Sequence, residues 1–400
     1  VMRVQNRLPK QLMWEKEPPV GVHRYQALLD KASKDTPLVD VAPDDLALIQ
    51  YSTGTTDMPK GVMLTHANLV ANTMQLRHWL PDVIEGRERI LTALPLAHSY
   101  AMTTCMNFAI SVAGAMVLLP NLQTGLMLEA IKRTHPSIFP GVPNVFLAIN
   151  HFPNARRFGV ESIRACLSGA APLPLEVQEA FEKITRGRLV EGYGLTEASP
   201  VTHANPIFGD SVAGTIGVPL PDTGAKIVDM NTGWDLPTGE IGELLVRGPQ
   251  VMKGYWNNPT QTARALRDGW LYTGDLVRVD EEGYFQFIDR KSDLITKQGQ
   301  AIFPRDIEEA LFEHPKVSEA AVVGIPLNGN AQNESIKAYI VPQRGEHPSA
   351  DEILAFARSR LPALSVPDAI EFRSDLPKTF VGKVFKRKLL AQERNPDAND

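Results

Sequence analysis

Between residues 46 and 210, short apolar runs alternate with stretches of helical periodicity, which predicts an α/β core with a mostly parallel sheet. From residue 211 the texture changes to short strands separated by Gly, Pro and Asp turns, which predicts a β-rich subdomain over 211–289. From about residue 291 the pattern returns to helices and strands, which predicts a small α+β domain over 290–400. The expected fold class is therefore α/β. A large N-terminal domain, residues 1–289, carries mostly parallel sheets and the β-rich subdomain, and a small C-terminal domain follows.

Taken in order, residues 1–40 are rich in charge and proline and read as surface structure. LALIQYS (46–52) is a strand running into a hydroxyl-rich loop. THANLVANTMQLRHWL (65–80) has apolar positions at helical spacing, with Thr65 as its cap. RILTALPL (89–96) and GAMVLLP (114–120) read as buried strands. Helical patterns near 126–133 and 174–184 alternate with strands such as IRACLSG (163–169). In the β-rich part, VDEEGYFQF (279–287) is a hairpin. Beyond it come helix PRDIEEALFEHP (304–315), strands VSEAAVVGIP (317–326) and ESIKAYIVP (334–342), helix ADEILAFARSRL (350–361) and a basic tail. Asp289–Asp293 is charged and reads as an exposed connector.

The chain has 400 residues, 43% hydrophobic and 22% charged, within the ordinary globular range. A net charge of -5 argues against a general nucleic-acid binder. Cys105 and Cys166 make neither a disulfide framework nor a zinc site, which fits a reduced intracellular setting. No basic-then-apolar signal segment opens the chain, which starts at Val1 with no initiator methionine, so an upstream portion is expected. Residues 90–128 contain no Asp, Glu, Lys or Arg. Pro95, His98, Asn107 and Pro120 break the run, and no basic anchors flank it. It reads as a buried helix plus strand in a soluble core, a composition that also suits a tunnel for a greasy ligand.

The stretch YSTGTTDMPKGVMLTH (51–66) packs hydroxyls, a glycine and a lysine into one loop. It is not a Walker-type loop, because Pro59 stands where that motif needs its second glycine. Ser52, Thr53, Thr55, Thr56 and Lys60 still offer hydroxyl and backbone donors plus one cation, a set suited to a polyphosphate with magnesium. Four further motifs follow in order: GYGLTEAS (192–199), LYTGD (271–275), DRKSDLITKQGQAIFPRDIEE (289–309) and LPKTFVGKVFKRK (376–388). Together they resemble the adenylate-forming superfamily of acyl-CoA synthetases, luciferases and peptide-synthetase adenylation domains, from about residue 44 to 390. LPLAHSYAMT, SGAAPLP and EGYGLTEASPVTHANP look most like bacterial long-chain fatty acid–CoA ligases. Members of that family carry a substantial stretch before the phosphate loop, most of which is absent here.

The resemblance implies roles. The 51–61 loop, with Ser52, Thr53, Gly54, Thr55, Thr56 and Lys60, would hold the β- and γ-phosphates of ATP. Thr55 and Glu197 would share a Mg2+ ion, and Thr196 would touch the α-phosphate. Gly169, Ala170, Ala171 and Tyr193 would enclose adenine. Asp275 and Arg290 would reach the ribose. Lys383 would bridge the substrate carboxylate and the α-phosphate, with His98 at the mouth of the fatty tunnel. After adenylation the C-terminal domain would turn about a hinge at Ser292, bringing Gly299 beside the pantetheine arm of CoA. The expected ligands are fatty acid, ATP and CoA. The expected setting is cytoplasmic with peripheral contact at the inner membrane face, and a homodimer is within the expectation.

Each residue also has a structural reading. His98 after a buried strand suits a satisfied core histidine, Asp275 a turn, Glu197 a helix cap, and Lys383 a solvated basic run with Lys378, Lys386, Arg387 and Lys388. Asp57 departs from the family's GTTGxPKG and would weaken the phosphate site by like-charge repulsion. Two other functions fit the same motifs: an acyl-AMP ligase that loads a carrier protein, and a nucleotide-binding regulatory protein with a weakened site.

Overall fold

The computed structural model describes residues 21, 23, 25–35, 39–52, 59–327, 330–378 and 384–394. Two units separate, residues 1–42 and 43–400. In the first, the helix Tyr25–Lys31 buries none of its residues.

The second unit is built on a seven-stranded sheet. Five strands, in the order Ala115–Leu118, Arg89–Thr92, Ile138–Gly141, Ala165–Ser168 and Arg188–Gly194, run parallel. Val201–Ala204 and Val218–Pro219 extend the sheet antiparallel. Helices Thr124–Thr134, Pro143–Asn150 and Leu175–Thr185 fill the connections, as parallel strands require. Their apolar faces pack on the sheet through Phe139, Phe146 and Phe181, with ring centroids 5.1 and 4.9 Å apart and edges to faces. Gly141 must be glycine there, since a Cβ would come within 2.7 Å of Phe146 Cζ.

Two expectations change in detail. The helix His66–Trp79 carries the Thr65 cap, with Asn68 closing a capping box. Its buried face, however, is mostly polar: Asn68, Asn72, Thr73 and Gln75, with Leu76 beside them. Asn68 Nδ2 donates to Pro249 O and Val251 O at 2.8 Å, Asn72 Nδ2 to Val201 O at 2.7 Å, and Gln75 Nε2 to Pro221 O at 2.7 Å. The helix therefore donates to carbonyls of the strand Val201–Ala204 and of the loops around Pro221 and Pro249–Val251. The uncharged stretch 90–128 holds a strand, a helix that turns π-helical over Met102–Asn107, a second strand and the start of helix Thr124–Thr134. That second strand, Ala115–Leu118, is a half-exposed sheet edge rather than the buried strand expected. No helix among the described residues is long and apolar enough to cross a membrane.

A three-stranded antiparallel sheet joins Leu46–Ser52, Lys60–Thr65 and Gly254–Tyr255. The β-rich part is a five-stranded antiparallel sheet, with the expected hairpin between Trp270–Val279 and Phe285–Arg290. From residue 295 onward the core forms its own apolar clusters around Val317–Leu327 and Asn330–Pro342. The basic tail is not plain surface chain, because it forms the helix Lys386–Arg394 with Leu389 fully buried. The connector is also not fully exposed. Asp289 is 4% exposed and accepts the backbone N–H groups of Arg290 and Arg305.

Candidate active site

A cleft of about 2110 Å³ opens where these sheets meet. Ser52, Lys60, His98, Gly169, Ala170, Ala171, Tyr193, Thr196, Glu197, Asp275 and Arg290 all line it. Gly299 does not. It sits at φ +77° on the turn between Ile295–Lys297 and Gln300–Ile302, with open space where a side chain would be. Thr53, Gly54, Thr55, Thr56, Asp57 and Lys383 lie outside the described residues.

One wall is a carboxylate held between a phenol and a guanidinium. Strand pairing sets Asp275 directly opposite Arg290. Tyr193 comes from the last parallel strand, and its OH donates to Asp275 Oδ2 at 2.5 Å. Arg290 Nε lies 3.2 Å from Asp275 Oδ1, yet this buried nitrogen is not aligned for a hydrogen bond among the described residues. Burial and the neighbouring carboxylate both push the Tyr193 phenol up, so it stays a donor. Burial alone would lower Arg290, but Asp275 and Asp293 outweigh it and hold the guanidinium charged. Phe287 flanks Tyr193 with centroids 6.3 Å apart. A nearly buried acceptor beside flat aromatic surface suits a ribose with its base.

A second group lies around the phosphate-loop lysine. Lys60 is in register with Ser52 across the strand pair. Its Nζ sits 5.2 Å over the Tyr255 ring and 3.5 Å from Gln261 Oε1. Tyr255 OH donates to Glu197 Oε1 at 2.8 Å, and burial followed by Glu197 raises the phenol's pKa. Glu197 lies in the turn Thr196–Ala198, whose Thr196 Oγ1 is 3.5 Å from Ser99 Oγ. Among the described residues no three His, Cys, Asp or Glu side chains cluster as a metal site. A lone carboxylate facing the cleft still fits Mg2+, which keeps most of its shell as water and phosphate oxygens.

His98 caps the short helix Ser99–Ala101, its Nδ1 accepting Tyr100 N–H at 3.2 Å. Burial lowers its pKa, so the ring is neutral with its proton on Nε2. The structural reading and a place in the cleft thus both hold for this residue. Tyr100 OH donates to Leu167 O at 2.6 Å and Gly141 O at 3.2 Å. Gly169 packs against that ring, where a Cβ would meet Tyr100 Cζ at 3.2 Å, and Ala170 turns at φ +68°. Glu191 anchors the same loop by accepting Leu173 N–H at 3.0 Å, and burial pushes its carboxyl up to about 7.

The C-terminal part closes one side. Val384 and Phe385 line the cleft, and Lys386 Nζ pairs with Glu308 Oε1 at 2.7 Å. Arg305 Nη1 donates to Phe287 O at 2.8 Å and stacks on that ring. Tyr255, Glu191, Gln261, Arg305 and the Glu308–Lys386 pair were not legible as site residues, because nothing local in the sequence marks them.

The family model for AMP-binding enzymes matches residues 5–256, and that for the AMP-binding enzyme C-terminal domain matches residues 306–383. A long-chain-fatty-acid–CoA ligase of Bacillus subtilis is 49% identical over 349 residues, covering 87% of this chain; the chain spans 62% of that relative's length. The crystal structure of ATP-bound MatB from Rhodopseudomonas palustris aligns with a TM-score of 0.85 at 31% identity, covering 93% of this chain and 73% of that one. The apo structure of the same protein aligns at 0.69, covering 93% and 72% at the same identity. With its motifs gathered in one cleft and both family models matched, the chain belongs to the AMP-binding enzyme family.

Proposed function

We propose that the chain activates a long-chain fatty acid with ATP to an acyl-adenylate and passes the acyl group to CoA, releasing AMP and pyrophosphate. The observation that carries this reading is the single cleft holding both the Tyr193–Asp275–Arg290 wall and the Lys60–Tyr255–Glu197 group. Its similarity to the B. subtilis ligase supports the acyl class. In the first step a carboxylate oxygen bonds to the α-phosphorus, and the bond to the β-phosphate oxygen breaks. Asp275 would take the ribose hydroxyls, and the 169–173 loop with Tyr193 would hold the base. Thr196 and Lys383 would face the α-phosphate, and Lys60 the terminal phosphates. His98 Nε2–H would donate to the acyl carboxylate. Glu197, with Thr55, would hold magnesium, which when bound neutralises charge on the phosphate oxygens. In the second step the CoA thiolate attacks the acyl carbonyl, AMP leaves with the bonding pair, and the thiol proton goes to solvent.

The placement of Val384 and Phe385 at the cleft, and of Gly299 away from it, fits a C-terminal part oriented for the first step. The better match to the ATP-bound than to the apo neighbour points the same way. Under this reading residues 290–400 act as the moving part about Ser292. The test is AMP release from palmitate and ATP, with and without CoA. CoA-dependent AMP and palmitoyl-CoA are expected. Acyl-adenylate without CoA transfer would favour a carrier-loading ligase, and no adenylate would favour a regulatory protein.

A further inference from the structure

We propose that Arg264 and Arg267 form an anion-holding edge of the cleft that receives the pyrophosphate leaving group. The proposal rests on the adenylate-forming reading above. The helix Pro259–Ala265 opens with Pro259 in its first turn, and the Asn258 side chain accepts Gln261 N–H. Gln261 and Arg264 are three residues apart, hence on one helix face, and both line the cleft. Gln261 Oε1 is 3.5 Å from Lys60 Nζ, and Arg264 follows Gln261 by about one helical turn along the same wall of the cleft.

Arg267 follows in the strand Leu266–Arg267 and also lines the cleft. Its Nε donates to Arg264 O at 2.9 Å, and its guanidinium lies 4.3 Å from the Tyr272 ring centroid. These two contacts hold the guanidinium between the Arg264 carbonyl and the Tyr272 ring. Among the described residues neither arginine meets a carboxylate, whereas four other cations of the cleft do. Arg290 pairs with Asp275, Lys291 with Glu243, Arg305 with Glu309 and Lys386 with Glu308. Two uncompensated forks beside the phosphate-loop lysine match an anion rich in phosphate oxygens, which arginine binds bidentately. When the bond from the α-phosphorus breaks, the electron pair departs on a pyrophosphate oxygen. Cations at this edge then gain interaction as the charge arrives, while the base and ribose need none of them.

The test runs the step backwards: synthetic palmitoyl-adenylate plus pyrophosphate, with ATP formation followed, in the full chain and in Arg264→Gln, Arg267→Gln and the double variant. Both residues are exposed, so the fold should tolerate the changes. The pyrophosphate KM should rise about tenfold in each single variant, equal to ~1.4 kcal/mol, with the acyl-adenylate KM nearly constant. Added salt should raise the native KM more than the double variant's. ATP formation with an unchanged pyrophosphate KM in the variants overturns the assignment. A shift in the CoA KM of the forward reaction, in place of the pyrophosphate KM, overturns it in favour of the phosphates of CoA. No ATP from the native chain instead overturns the adenylate-forming reading on which the proposal rests.

Discussion

Replacing Asp275 by Asn removes one charge from the centre of the cleft wall and keeps the shape. Asp275 is 5% exposed, accepts Tyr193 OH at 2.5 Å and lies 3.2 Å from Arg290 Nε. A hydrogen bond to a charged group contributes ~1.5–3 kcal/mol against ~0.5–1.5 for a neutral one, so the Tyr193 bond should weaken by ~1 kcal/mol. Stripping one partner from a fully buried ion pair costs ~3–5 kcal/mol. The Arg290 side chain keeps 32% exposure, however, so water takes up part of its charge. A loss of ~1–2 kcal/mol is then expected for the pair, and ~2–3 kcal/mol in all for folding, read by urea unfolding. Two ribose hydroxyls would each lose a charged acceptor, ~1 kcal/mol apiece, which raises the ATP KM about 30-fold. The assay is palmitoyl-adenylate formation without CoA. Tyr193→Phe serves as control: it leaves the carboxylate and Arg290 in place and should cost less than about tenfold. If Asp275→Asn changes the ATP KM no more than Tyr193→Phe does, the carboxylate does not hold the ribose and the reasoning fails.

Lys383→Ala should slow adenylate formation by ~10²–10³ while largely sparing thioester formation from synthetic acyl-adenylate; equal losses in both half-reactions would remove its assigned role. Asp57→Gly should lower the ATP KM by up to about tenfold, ~1.4 kcal/mol, more at low salt than at high salt; a native chain that makes no adenylate until this change is introduced would mean that the loop as written is disabled. Glu191→Gln should alter stability in a pH-dependent way. Burial pushes the Glu191 carboxyl up to about 7 in the folded chain, from about 4.5 in the unfolded one, so the folded chain holds the proton more tightly. Its favourable contribution is full below the unfolded value and is lost as pH rises through about 7, a change of roughly 3 kcal/mol. Stability of native minus variant should therefore fall between about pH 4.5 and 7, and parallel urea-unfolding profiles across that range would contradict the burial argument.

The strand and helix alternation, the β-rich stretch after 211 and the hairpin at 279–287 were legible because periodicity and turn residues are local properties. The site motifs were legible for a related reason: LYTGD and GYGLTEAS each carry their chemistry within a few adjacent residues. What the sequence could not show is which distant residues complete them. Tyr255 reaches Glu197 across 58 positions, and Tyr193 reaches Asp275 across 82. Nothing within either segment encodes that meeting, which strand pairing and loop packing decide. Burial was hidden for the same reason. The amide face of helix His66–Trp79 looks solvent-facing until the carbonyls of Val201, Pro221, Pro249 and Val251 arrive to be satisfied. Asp289 in a charged run reads as exposed, yet the start of helix Pro304–Phe312 packs over it and supplies the Arg305 N–H it accepts. Composition determined what kinds of groups were available, and only the tertiary structure decided which of them lost water and gained partners.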